Sequence, residues 1–319
     1  MVQLVDAEMN CLVEDKIVLL GREHFTFSAV ATIDGGFAVA WTQHQSIYLR
    51  QYTPVGHAIK DFHVGKATNQ IDAIHLIALH SGAIAIECRE FLSILENDGL
   101  ILCDMTPLAW SSTVAIQSNG NIDRFVTEER YPLGYARPPR YSLEGGRFNE
   151  TGGKIDEFHF DVPSTIVGDT HSRPDHLTSL CLGWDQSVVL WTQAAHHLGN
   201  SIQARIFGGN NSDGEHFIIA SADPYSSVNR PVAIKHGSDG FLAGWSLNND
   251  PAKLHQIAQF QESIEISRIE NIAGNEPDKG FLALENYSEY EVAAIWAEKK
   301  ELQVRIIQFT APYLEHGHD

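Results

Sequence analysis

The sequence predicts an all-β fold, a six-bladed β-propeller of four-stranded blades, and three observations carry the prediction. A short segment, GFAVAWTQ (36–43), returns along the chain. Segments with period-two alternation of apolar and polar residues fall at the same offsets around each copy. Gly-containing turns such as Asp34-Gly35-Gly36, Asn97-Asp98-Gly99 and Ser238-Asp239-Gly240 separate them, and no helix of three turns is legible.

The Trp41 segment comes back as SVVLWTQ (187–193), GFLAGWS (240–246) and YEVAAIWAE (290–298), with Trp191, Trp245 and Trp296 in the place of Trp41. Two degenerate copies, AIAIECRE (83–90) and NIDRFVTEE (121–129), carry Cys88 and Val126 there. From 41 to 88, 126, 191, 245 and 296 the steps are 47, 38, 65, 54 and 51 residues, a period near that of a propeller blade. Strand-two alternation points the four tryptophans toward packing between blades, so all four are expected to be buried.

The other strands follow the same frame. Innermost strands are read at 27–32, 72–79, 111–117, 177–183, 230–235 and 280–286. Third strands are read at 46–52, 91–97, 201–207, 254–260 and 302–309, and fourth strands at 59–64, 100–105, 155–160 and 215–220. The last unit runs out after its third strand, while DKIVLLG (15–21) precedes the first inner strand as EHFIIA (215–220) precedes the fifth. The N-terminal strand is therefore expected to close the last blade, which removes an open edge. Residues 1–319 then form a single propeller domain, with 313–319 a disordered tail. Seven blades are the alternative and would need a unit hidden in the 65-residue step.

The segment DGGFAVAWTQ…SIYLRQY resembles the D-G-G-F-x-V-x-W…I-x-x-Q-R-F repeat of arrays in large bacterial surface and secreted proteins. The resemblance implies the propeller fold and specifies no activity. Glycine-rich calcium-binding nonapeptides, which accompany such arrays, are absent from this sequence.

Composition narrows the function classes. Hydrophobic residues make up 43% of the 319, enough for a core, and the net charge is −19 with no basic block. Such a chain repels phosphate backbones and anionic lipid headgroups, so neither nucleic acid nor membrane is an expected partner. The N-terminus carries acids where a signal peptide needs Lys or Arg, so the chain reads as cytoplasmic unless a leader has been removed. The four cysteines lie far apart without a C-x-x-C spacing and read as buried free thiols.

Chemistry is expected where the longer loops gather, at the end carrying the connections from strand four to the next strand one and from strand two to strand three. Two segments stand out there. SRPDH (172–176) and NRP (229–231) start inner strands in neighbouring units, so Arg173 and Arg230 can fork around a carboxylate or other anion, with Arg130, His24 and His196 as further binding residues. His176 beside Asp175 can hold a proton-transferring imidazole, and Tyr131, in the longest strand two–three loop, can supply a phenol. The competing reading is that the arginines cap blade junctions through ion pairs with Asp175 or Asp223, Pro being at home at a strand's first residue. His196-His197 could bind a transition metal with His44 or His176, but adjacent strand residues point oppositely, and no metal or other cofactor is expected.

These residues support an enzyme with one active site in the axial funnel, of lyase, hydrolase or isomerase type, acting on an anionic or glycosidic small substrate. The alternatives are a non-catalytic, lectin-like propeller binding a carbohydrate or small ligand, and a protein-interaction scaffold. The loop residues do not repeat, which favours one asymmetric site over one pocket per blade.

Overall fold

The computed structural model describes residues 2–5, 11–15, 26–68, 71, 74–96, 99–106, 111–130, 140–162, 174–183, 185–195, 199–208, 216–221, 227–228, 231–236, 240–248, 254–260, 266–273, 282–288, 291–298 and 301–308. Strands β1 (Val2–Val5) and β2 (Cys11–Asp15) form a hairpin. Sheet one follows in meander order: β3 (Phe27–Ala31), β4 (Phe37–Gln43), β5 (Ser46–Tyr52) and β6 (Ala58–Lys66). Sheet two is β7 (Ile74–Ala78), β8 (Ile84–Cys88), β9 (Phe91–Glu96) and β10 (Gly99–Met105). Sheet three is β11 (Ser112–Ile116), β12 (Ile122–Arg130), β13 (Arg140–Phe148) and β14 (Lys154–Asp161). Sheet four is β15 (Pro174–Cys181), β16 (Gln186–Ala195), β17 (Gly199–Gly208) and β18 (His216–Ser221).

In sheet five, β19 (Ser227–Val228) and β20 (Val232–His236) both pair with β21 (Gly240–Asn248), followed by β22 (Leu254–Phe260) and β23 (Ile266–Ala273). Sheet six has three described strands, β24 (Leu282–Ser288), β25 (Glu291–Glu298) and β26 (Glu301–Gln308). The chain is all-β, built of successive four-stranded antiparallel meanders. The expected closing strand at 15–21 lies outside the described residues apart from Asp15, which ends β2. The tail at 313–319 also lies outside them. Among the described residues, no helix is long and apolar enough to cross a membrane.

Contacts divide the chain into two compact units: residues 1–129 with 143–159, and residues 130–142 with 160–319. In the first, Ala38, Ala40, Ile47 and Leu49 of sheet one pack on Ile74, Ile84 and Ile86 of sheet two. The other face of sheet two, with Ala85, Leu92 and Ile94, packs on Ile122 and Phe148 of sheet three. In the second unit, Val188, Leu190 and Ile202 of sheet four pack on Phe241, Ala243 and Trp245 of sheet five, and Leu242 packs on Leu284 and Val292 of sheet six. Strands β8, β9 and β21 thus send alternate residues into the junctions on their two sides, which is why they are apolar on both faces, while outer strands such as β6 are largely exposed.

The repeated turn has a simple cause. Thr32 N–H donates to Gly36 O (2.9 Å), Gly35 N–H to Thr32 O (3.0 Å), and Gly35 sits at φ +83, where a side chain is costly. Thr32 Oγ1 and Gly36 N–H both donate to Asp34 Oδ1, and these bonds hold the Asp34 carboxyl below the usual carboxylate range.

The tryptophan expectation needs one correction, and the Trp296 side chain lies outside the described residues. Trp191 and Trp245 are 0% and 1% exposed, and Cys88 and Val126 are buried in their place. Each tryptophan faces the preceding strands: Trp191 packs on Phe160 of β14 (6.1 Å), and Trp245 joins the Leu190 cluster. Trp41 is only half-buried, stacked on Tyr48 (5.8 Å) with the Arg50 guanidinium 5.9 Å from its ring. It belongs to the first four-stranded sheet of the chain, preceded among the described residues by the two-stranded β1–β2 hairpin.

Candidate functional site

Of the residues singled out in the sequence, Asp175 and His176 fall on described structure. Arg130 is the last residue of β12, and only its backbone is described. His24, Tyr131, Arg173, His196 and Arg230 lie outside the described residues. The candidate site is therefore built from the start of β15, at the loop end of sheet four.

There the ladder breaks. Asp175 pairs with Thr192 and Thr178 with Leu190, so His176 and Leu177 together oppose Trp191. This is a β-bulge, one residue more on β15 than on β16. The equivalent pairs of sheets one to three run without it: Phe27 faces Trp41, Ile74 faces Cys88 and Ser112 faces Val126, one residue against one. His176 is thus an extra residue relative to the repeat. Its φ is +53, the left-handed conformation that the first residue of such a bulge adopts and that glycine ordinarily fills.

The consequence is a sorting of side chains. Leu177 is turned fully inward at 0% exposure, and the His176 imidazole is left exposed. The Asp175 carboxylate fixes the bulge, accepting the His176 N–H at Oδ1 (2.9 Å), and Thr192 Oγ1 donates to Asp175 O (3.1 Å). Asp175 therefore acts on the backbone of its neighbour, a different use of the pair from the imidazole contact that adjacency suggested. Thr178 Oγ1 donates to Pro231 O (2.7 Å), which joins β15 to the residue that leads into β20. Among the described residues the other non-glycine with positive φ is His44 at +52, the first residue of the two-residue turn between β4 and β5, where the turn itself calls for a positive φ.

Behind the bulge lies an aromatic layer. The fully buried Trp191 stacks on His216 (5.7 Å), whose Nε2 is 2.8 Å from Gln203 Oε1. Burial, and secondarily the Arg205 charge, push the His216 pKa down, so it favours the neutral ring.

The first unit holds a charged cluster that the sequence did not disclose. Arg124, fully buried, donates to Asp104 Oδ2 (2.5 Å), Thr106 Oγ1 (3.1 Å), Cys88 O (3.3 Å) and Arg89 O (3.2 Å). Its Nε stands 3.8 Å from Glu87 Oε1, beyond hydrogen-bond range, and among the described residues neither Glu87 oxygen has a hydrogen-bond partner although Glu87 is 0% exposed. On the same strand, the neighbouring buried Asp123 accepts Arg147 at 2.7 and 3.0 Å and Gln117 at 2.9 Å. Beside this cluster, burial pushes the Cys88 thiol up to about 11. Cys88, Cys103 and Cys181 are free thiols, Cys88 buried and the other two half-buried. Among the described residues, no group of three or more His, Cys, Asp or Glu side chains is placed to hold a metal.

The chain matches no protein-family profile and no curated protein sequence. Its architecture aligns with solved structures at low identity. A protein of unknown function from Dyadobacter fermentans aligns at 9% identity with a TM-score of 0.54, over 89% of this chain and 94% of that one. The α-L-arabinanase of Penicillium chrysogenum, solved with arabinobiose, aligns at 9% and 0.52 over 89% and 92%. The fungal lectin of Aleuria aurantia, a six-bladed β-propeller with a fucose recognition mode, aligns at 12% and 0.50 over 91% and 96%. With the successive meanders, these alignments define the fold as β-propeller.

Proposed function

We propose that this propeller acts on carbohydrate at the loop end of its inner strands, as a lyase, hydrolase or isomerase of an anionic or glycosidic substrate. The observation that carries the reading is His176, an exposed imidazole on a residue inserted into the repeat and held in a conformation that costs a non-glycine residue ~1–2 kcal/mol. Strain of this kind persists where a side chain is needed at that spot, because glycine would relieve it. His176 is the proton-transferring group in this reading, and Asp175 is a positioning residue that locks the bulge. Arg173 and Arg230 precede Pro174 and Pro231, which lead into neighbouring inner strands, and supply the charge for an anionic group. Tyr131, Arg130, His24 and His196 complete the candidate set from the other loops. The arabinanase alignment supports a carbohydrate substrate at the level of the fold.

A lectin-like, non-catalytic use of the same site is the second reading, favoured by the alignment with the Aleuria lectin. His176→Gly separates the two. Release of the backbone strain should leave the melting temperature unchanged or raised. In an enzyme, product release from arabino-oligosaccharides or uronate-containing polysaccharides should collapse with affinity spared; in a binding protein, affinity alone should fall. A variant that is as stable as the parent and unchanged in both turnover and saccharide binding would overturn the proposal.

A further inference from the structure

A cavity in the first unit lies among the tight turns that join first to second strands. It has a volume of about 700 Å³ and is walled by the turns of residues 32–36 and 79–83, in sheets one and two. The two turns are built alike. Leu79 N–H donates to Ala83 O (2.9 Å) and Gly82 N–H to Leu79 O (3.0 Å), with Gly82 at φ +89, as in the first turn. Both walls are therefore fixed before any ligand arrives. The volume lies within the usual range of small-molecule pockets, roughly 300–1,000 Å³.

The lining is mixed. Phe37, stacked on buried Tyr52 at 4.5 Å, contributes aromatic surface, and Ile33 and Ile59 stay 65% and 57% exposed at the mouth. Gln51, Lys60 and Glu96 line the same space and make no side-chain hydrogen bond to the described residues, Lys60 resting 4.5 Å over the Phe62 ring. Asp34 adds a carboxylate whose Oδ1 is used by its own turn.

We propose that this groove is a second ligand site, for a neutral saccharide of one or two rings. The ligand class rests on the carbohydrate reading above. Donors (Gln51, Lys60) and acceptors (Asp34, Glu96) interspersed with apolar surface suit a polyol ring, whose hydroxyls lie at its edge and whose C–H groups form its faces. Two carboxylates against one ammonium, in a chain of net charge −19, disfavour an anionic sugar. The groove thus takes a different saccharide from the Arg-flanked site, which is built for negative charge.

The test is calorimetric titration of arabinobiose, L-fucose and a panel of neutral mono- and disaccharides into the full chain, the double variant Gln51→Ala/Glu96→Ala, Ile33→Glu and His176→Gly. A neutral sugar should bind parent and His176→Gly alike and lose at least about tenfold in affinity in both groove variants. Melting temperatures of the two groove variants should agree with the parent, because their side chains line the cavity. Sugar binding abolished by His176→Gly but untouched in both groove variants overturns the second site and leaves the loop-end reading standing. Failure of every neutral sugar to bind the parent, with turnover of an anionic saccharide retained, likewise overturns the groove alone. If no saccharide of either kind binds or turns over, both readings fall.

Discussion

Arg124→Met is the sharpest test of what holds sheets two and three together. Met keeps much of the stem and removes the guanidinium, so the change isolates charge from volume. Among the described residues that guanidinium makes four hydrogen bonds and faces Glu87, which is fully buried with neither oxygen hydrogen-bonded. Its removal leaves a buried carboxylate without a compensating charge, a defect that costs about 3–5 kcal/mol. At roughly 2–4 °C per kcal/mol for a unit of this size, the melting temperature should fall by about 6–20 °C. Asp104 is 28% exposed and can rehydrate, so the penalty is concentrated on Glu87. Arg124→Met combined with Glu87→Leu should therefore recover most of the loss, because buried pairs replaced together by apolar groups are often neutral. Urea unfolding of parent, single and double variants at one pH supplies the comparison. A single variant within about 1 kcal/mol of the parent, or a double variant no better than the single, refutes the assignment of the cost to an orphaned Glu87.

The remaining predictions test the repeat and its titration. Trp191→Ala should cost about 3–5 kcal/mol as a core truncation, whereas Trp41→Ala, on a half-buried surface, should cost about 1–2 kcal/mol; equal shifts in urea midpoint would contradict their different surroundings. His216 has a folded pKa below its ordinary value of 6.5, so the unfolded chain binds its proton first. Its contribution to stability is complete above pH 6.5 and is lost as pH falls through the depressed folded value. His216→Gln should flatten that acid limb, and an unaltered stability profile below pH 6.5 would count against the burial assigned to the ring.

Much of the strand order was legible because two signals coincided, period-two alternation and a recurring Trp, Cys or Val at one offset. Strands 46–52 and 254–260 were read to the residue. β13 was missed because Gly145 and Gly146 dilute the strand signal of an already degenerate copy. The structure explains the first of them: a Cβ on Gly145 would lie 2.1 Å from Arg124 O on the neighbouring strand, so the close approach excludes any side chain. β23 was missed because Ile266, Ile269 and Ile272 recur every third residue, a spacing that imitates a helix more than a strand. The buried charges were illegible for another reason. Glu87, Asp123, Arg124 and Arg147 stand in strands where a charged residue ordinarily marks the solvent side, and their partners come from other strands, so no linear spacing announces the pairs.

His176 was legible as chemistry and illegible as geometry. The sequence offers a polar residue beside an Asp and a Pro, and a left-handed bulge is announced by glycine, which is absent there. What the structure adds is the frame against which the residue becomes an exception. In sheets one to three, a single inner-strand residue faces the repeat's Trp, Cys or Val; in sheet four, two do. Trp191 nevertheless stays fully buried, because Leu177 fills the inward place and the extra residue is expelled toward solvent with its imidazole. An insertion that preserved packing alone would favour glycine at φ +53, with no strain and no exposed ring. In a fold made of copies, the shared positions report what every sheet needs to pack. A position that departs from the copies at a conformational cost is where a demand from outside the packing should be sought, and at the start of β15 that position is His176, the residue to which the proposed function gives proton transfer.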